Sequence, residues 1–261
     1  MKKQLYFLYT LLFLFVAVIG YTGYSILTLD TEPEIPEEFV QYKEIQDEVT
    51  INDEEPDNRV YLDFNLEELL SINPDFETWL MIPDTDISFP VVRTTDNYYY
   101  LKHDFSKKSS SFGCLYFDTT GTSDSVNRVI HGHNMGNNRK EMFSTLVEFQ
   151  EQEYAETHKY AYLSSDPEIA ADTYELYAVV NFNLAKNPGF DYAQPNFSSD
   201  EERSEFISYL KSRSIYTTDF DPDGELLILS TCNRQYGGYN RLLLCFGKVD
   251  ASAVSSHSEK N

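Results

Sequence analysis

Two residues near the end of this 261-residue chain are the best placed to do chemistry together, a cysteine and the arginine nine positions after it. Ile228-Leu229-Ser230-Thr231-Cys232 reads as an apolar strand that runs straight into a thiol. A polar loop containing Gly237 and Gly238 turns the chain back, and Arg241-Leu242-Leu243-Leu244-Cys245 opens a second strand. Paired as a hairpin, the two strands set Cys232 and Arg241 side by side at one end. A thiol beside a permanent cation is a candidate nucleophile with an oxyanion-stabilising partner. The pair points to an enzyme rather than a binding module.

A thiol nucleophile that displaces an amine needs a proton carrier, and imidazole is the usual one. Of the five histidines, His257 lies in the polar tail and His158 in a charged segment. His131-Gly132-His133-Asn134-Met135-Gly136 sits at the end of an expected strand, Val126 to Ile130, and enters a loop rich in glycine and asparagine. Active-site groups often sit where a rigid strand hands over to a loop. A His-x-His pair is also a fragment of a metal site, but the sequence supplies no third ligand of similar chemistry, so no metal or cofactor is expected. Cys114 and Cys245 lie inside apolar runs, where a cysteine behaves as a small buried hydrophobe. Three cysteines is an odd count that leaves at least one thiol free, which does not suit a disulfide-stapled domain.

The elements that must position these groups are mostly short strands. They are expected at 79–82, 87–92, 112–117, 126–131, 160–164, 173–182, 225–232 and 241–249, with Pro83-Asp84-Thr85-Asp86 turning the first pair. Helices are expected at 66–70, capped by Asn65, around 142–149 and at 200–213. Many short strands with scattered helices argue for a mostly β fold, a closed barrel with peripheral helices.

The formal net charge of −23 excludes a nucleic-acid partner, because phosphate binding needs a basic face. Residues 4–29 carry no charge and are long enough to span a hydrocarbon core as a helix. Lys2 and Lys3 precede them and Asp30, Glu32 and Glu34 follow. That asymmetry predicts a single-pass signal anchor at 1–29, with its tip in the cytoplasm and the rest of the chain outside the cell membrane. Residues 30–60 are acidic and carry Pro33, Pro36 and Pro56, which predicts an extended stalk with a loose helix at 37–49. The catalytic domain is expected over 61–250 and a disordered tail over 251–261.

Leu229-Ser230-Thr231-Cys232 with the downstream Arg241, and Gly132-His133-Asn134-Met135 before it, resemble the sortases, membrane-anchored cysteine transpeptidases of Gram-positive bacteria. Ile72-Asn73-Pro74-Asp75, Trp79, Ile82-Pro83 and Phe89-Pro90-Val91-Val92 are similar to the opening segment of their class B. So are the run from Asp96 to Phe105 and the long helical insertion at 187–213. The resemblance covers about residues 66–250 and implies the sortase barrel. It also implies that Cys232 is the nucleophile, His133 the general acid and base, and Arg241 the oxyanion or substrate holder. Asn97, Leu101, Tyr192 and Ser230, with Ala193 beside them, would line the substrate. The implied reaction cleaves a C-terminal sorting signal of a secreted protein through a thioester and passes it to an amine of the cell-wall precursor. Alternatives within reach are pilin polymerisation through a lysine, a hydrolytic cysteine protease, or a tethered binding domain. His131 stands where relatives often carry a tyrosine, and Asn233 where they often carry an acid.

Overall fold

The computed structural model describes residues 59–136, 139–232 and 239–249, together with Thr50–Asn52 and the isolated positions Phe15, Phe39, Glu44, Gln46 and Val49. The chain divides into two compact units, residues 1–37 and 38–261. Of the expected anchor only Phe15 is described, in helical conformation, so that expectation lies outside the described residues. Among those residues no helix is long and apolar enough to cross a membrane. The expected tail at 251–261 also lies outside them.

In the second unit a small ribbon pairs β1 (Thr50–Asn52) with β2 (Tyr61–Asp63). The helix α1 (Leu66–Ile72) follows, and the Asn65 side chain accepts from the Glu68 amide as the sequence predicts. Eight strands then close a barrel: β3 (Phe76–Met81), β4 (Ser88–Val92), β5 (Leu115–Phe117), β6 (Asn127–His131), β7 (Tyr160–Ser164), β8 (Asp172–Asn183), β9 (Leu226–Cys232) and β10 (Asn240–Val249). Around the barrel they run β10-β8-β7-β3-β4-β5-β6-β9. All eight expected strands form, with ends that differ by a few residues. The helix expected around 142–149 is a 3₁₀ helix (Ser144–Gln150) that gives way to α2 (Gln152–Thr157). α3 (Asp200–Lys211) lies in the long β8–β9 connection, and its cap Ser199 accepts from the Glu202 amide.

The two faces of β9 and β10 are sorted by the two-residue period of a strand. Leu227, Leu229, Leu242, Leu244 and Phe246 join the cluster to which all eight barrel strands contribute, the barrel interior. Leu226, Ile228, Leu243 and Cys245 face the other way. There they pack with Val129, Tyr192 and the Phe206, Ile207 and Leu210 face of α3. The β8–β9 connection is therefore a cover on the outside of the barrel.

The stalk reading needs correction at its barrel end. Phe39 and Val49 are buried in the main core, with the Phe39 ring 6.2 Å from Phe89 and 5.3 Å from Phe112. Gln46 donates to the Ser88 carbonyl at 2.6 Å. The folded unit thus reaches back ahead of Tyr61. Acidic composition hid two apolar residues that find a hydrophobic surface on the barrel.

Leu229 is fully buried at the centre of β9. Leu229→Ala should lower stability by about 2–5 kcal/mol, the range for a leucine truncated in a packed core. A urea unfolding midpoint unchanged from wild type would contradict this placement of the core.

Candidate active site

Cys232 and Arg241 are paired residues in the antiparallel β9–β10 ladder, as the hairpin reading predicts. Directly opposite residues project to the same face. By the alternation along each strand this is the outer face, the one that carries Ser230 and Ile228 on β9 and Leu243 on β10. Cys232 is half-buried and is not in a disulfide. Arg241 also pairs with Phe182 of β8, so the cation sits on a central strand rather than at a free edge.

The two candidate histidines arrive on β6 and the loop after it, and β6 lies parallel to β9 with His131 opposite Ser230. Two positions further on, His133 lies alongside the end of β9 that carries Cys232. Hydrogen bonds extend the contact past the last ladder pair. Gly132 N–H donates to the Ser230 carbonyl at 3.2 Å, Thr231 Oγ1 donates to the Gly132 carbonyl at 2.8 Å, and Asn134 Nδ2 donates to the Cys232 carbonyl at 3.2 Å. Glycine at 132 is a packing requirement, since a Cβ there would stand 2.4 Å from Leu115 and 2.5 Å from Phe143. The loop is closed from its far side by Phe143 N–H on the His133 carbonyl at 2.9 Å.

His133 Nε2 lies 2.8 Å from the Leu101 carbonyl. A carbonyl only accepts, so Nε2 carries the hydrogen, and in the neutral ring the lone pair is on Nδ1. The tautomer of His133 is therefore set by a backbone atom of the short 3₁₀ turn Tyr99–Leu101. Leu101, expected as a substrate-lining side chain, makes this contact through its main chain.

His131 has a different partner. Its Nε2 donates to Asp118 Oδ2 at 2.8 Å. Asp118 also receives Asn97 Nδ2 at 3.1 Å and both the amide and hydroxyl of Thr120, at 2.9 and 2.7 Å. Burial pushes the Asp118 carboxyl up, but the His131 and Thr120 hydrogen bonds outweigh it and hold the group down at about 2. Asn97 is engaged at both ends of its amide, since its Oδ1 accepts from Thr119 N–H at 3.0 Å. Ser230 Oγ lies 3.3 Å from the buried Tyr192 hydroxyl. Tyr192 and Tyr116 are both held above the ordinary phenol range, first by burial, while the Arg241 cation acts on both in the opposite sense.

The structure puts Ser230, Cys232 and Arg241 on the outer face, ties His133 to the Leu101 carbonyl and Asn97 to Asp118, and packs the Leu101 side chain against the main core. Tyr116, His131, Ser230, Cys232 and Arg241 span strands β5, β6, β9 and β10, while Tyr192 comes from the β8–β9 cover. Asp118 and Tyr116 were not singled out in the sequence. Asp118 is thirteen residues from His131 and meets it only because β5 and β6 pair antiparallel, with Tyr116 opposite His131. Among the described residues no group of three or more His, Cys, Asp or Glu side chains is arranged to hold a metal ion.

Asp118 is held more tightly as a carboxylate in the folded protein than in the unfolded chain. Its stabilising effect is complete above the unfolded value of about 3.9 and fades as the pH falls toward 2. Asp118→Asn should therefore be less stable than wild type at pH 7, with the gap narrowing by pH 3 in parallel urea titrations. A gap independent of pH would show that the carboxylate charge is not what the network holds.

No protein-family model matches the chain. Among curated proteins it is 25% identical to sortase B of Staphylococcus aureus over 241 residues, covering 90% of this chain and 93% of that one. It is 26% identical to sortase B of Listeria monocytogenes over 175 residues, 65% of this chain and 68% of the relative. The crystal structure of Clostridium perfringens sortase B matches with a TM-score of 0.64 at 27% identity, over 71% of this chain and all of that one. A sortase B complexed with triglycine shares the fold at 22% identity, with a TM-score of 0.61 over 70% of this chain and 85% of that one. Similarity running through most of the sequence, together with a barrel shared with solved sortase B structures, supports a class B sortase.

Proposed function

We propose that the protein is a transpeptidase that cleaves a C-terminal sorting signal of secreted proteins and joins them to an amine of the cell wall. The observation that carries the reading is the direct pairing of Cys232 with Arg241 beside the loop that bears His133. The Cys232 thiol gives its proton to Nδ1 of His133, the sulfur attacks the scissile carbonyl carbon, and the carbonyl electrons move onto its oxygen. The Arg241 guanidinium, which keeps its charge at any working pH, stabilises that oxyanion. Collapse breaks the C–N bond, and His133 gives its proton to the departing amine. The product is a thioester on Cys232 and a free C-terminal fragment. An incoming primary amine then attacks the thioester, His133 takes its proton, and the new amide leaves as the Cys232 sulfur is released. Splitting one difficult amide exchange in this way is the gain of covalent catalysis.

The His133 tautomer supports this assignment over His131. With Nε2 committed to the Leu101 carbonyl, Nδ1 is the nitrogen left to exchange protons. His131 is committed to Asp118 instead. Asn97, Leu101, Tyr192 and Ser230 surround the path on which the sorting peptide would lie. The triglycine held by a related sortase B supports an amine as the second substrate. The uncharged segment at 4–29 supports a membrane-anchored enzyme whose barrel works outside the cell, where both sorting signals and cell-wall precursors are found.

Cys232→Ala should abolish cleavage in a peptide-library assay while leaving the fold intact, and full activity in that variant would sink the mechanism. His133→Ala should fall nearly as far, whereas His131→Ala should lose far less. The reverse ranking would reassign the acid–base role. Added oligoglycine or diamine should convert the cleaved peptide into an amide product. Release of the free acid alone, whatever amine is added, would identify a hydrolase.

A further inference from the structure

We infer that Phe39, in the segment ahead of the barrel, is a positioning residue for the His133 imidazole, acting through Phe112 and Gly113. The inference rests on the acid–base role of His133 proposed above. The Phe39 ring lies 5.3 Å from the Phe112 ring and 6.2 Å from Phe89, and all three are buried. Gly113 follows Phe112 and holds φ at +65°, a conformation other residues rarely adopt. A Cβ on Gly113 would stand 2.4 Å from the Tyr100 carbonyl oxygen and 3.2 Å from Cδ2 of His133. The imidazole is therefore packed against the Gly113 backbone on one side, while its Nε2 is tied to the Leu101 carbonyl. Cys114 N–H donates to the Tyr100 carbonyl at 2.9 Å, which locks Gly113 to the same 3₁₀ turn that carries Leu101.

Phe112 is also the point where the far end of the histidine loop rests. The Arg139 guanidinium lies 5.9 Å from the centre of the Phe112 ring, and Arg139 Nε donates to Glu141 at 2.8 Å. Two residues on, Phe143 closes the loop on the His133 carbonyl. One aromatic ring thus supports both the backbone against which His133 packs and the return of its loop, and Phe39 covers that ring. Gln46 fixes the same segment a second time through Ser88, whose hydroxyl accepts from Trp79 Nε1 at 3.0 Å. Phe39 and Gln46 in this way brace the site from ahead of the barrel. Removing the Phe39 ring leaves a void beneath Phe112, and the Gly113 backbone can settle toward it, away from His133. A displacement of about 1 Å at a catalytic group is enough to cost up to about a hundredfold in rate.

The test uses the full-length protein in detergent micelles and the peptide that the library assay selects. Phe39→Ala should lower kcat about ten- to a hundredfold with KM changed less than about twofold, at a temperature well below its own melting midpoint. Phe39→Leu, which refills most of the space, should recover most of that kcat. Gly113→Ala, strained and in collision with Tyr100, should lose more than Phe39→Ala. Wild-type kcat in a folded Phe39→Ala protein would overturn the inference, as would a loss that Phe39→Leu does not relieve. Full activity in His133→Ala would instead remove the acid–base reading itself, and the positioning role with it.

Discussion

The register of β9 is the constraint on which the site depends. Leu227 and Leu229 must enter the barrel interior while Leu226 and Ile228 meet the α3 cover. Both faces are apolar, but they are filled by different partners, so the strand is held on both sides at once. A slip of one residue would turn every side chain over. Cys232 would then leave the face it shares with Arg241, and Ser230 would lose Tyr192. The parallel pairing with β6 sets the histidine loop from the same strand. Cys232, Arg241 and the loop that bears His133 are therefore placed by one packing decision along β9.

A second economy lies in the turn between β4 and β5. Asn97 holds Asp118, which holds His131, while four residues later the Leu101 carbonyl holds His133. One short segment thus orients both imidazoles and gives them opposite circumstances. His131 faces an ionised carboxylate that is already saturated with donors. His133 faces a neutral carbonyl, which fixes the ring without fixing its charge. The acid–base role proposed for His133, in which the imidazole gains and loses a proton in each cycle, suits the second setting better than the first.

How much of this was legible in the sequence follows from the range of the interactions. Strands declare themselves locally through apolar runs and turn residues, so all eight were found, and the Cys232–Arg241 pairing followed from a single hairpin. The Asn65 cap was legible for the same reason. Asp118 was not, because nothing near residue 118 marks a carboxylate that will meet His131 across two strands. The Leu101 contact is made by main chain, which any residue type supplies. Phe39 was missed because acidic neighbours dominate its window, and only the barrel reveals the surface it covers.

The three cysteines show how burial sorts identical side chains into different chemistry. Cys245 lies on the same outward face of β10 as Arg241, but it sits beneath the α3 cover, and burial pushes its thiol far above the ordinary range. A sulfur there is denied the thiolate form that nucleophilic attack requires. Cys114 is buried in the main core, its sulfur 3.8 Å from the Pro90 carbonyl. Cys232 differs from both in position rather than type. It is the last residue of β9 and is only half-buried. The same covering segment that silences Cys245 also presents Tyr192 to Ser230, two residues from the half-buried thiol. What shields one sulfur therefore also packs beside the strand that carries the other.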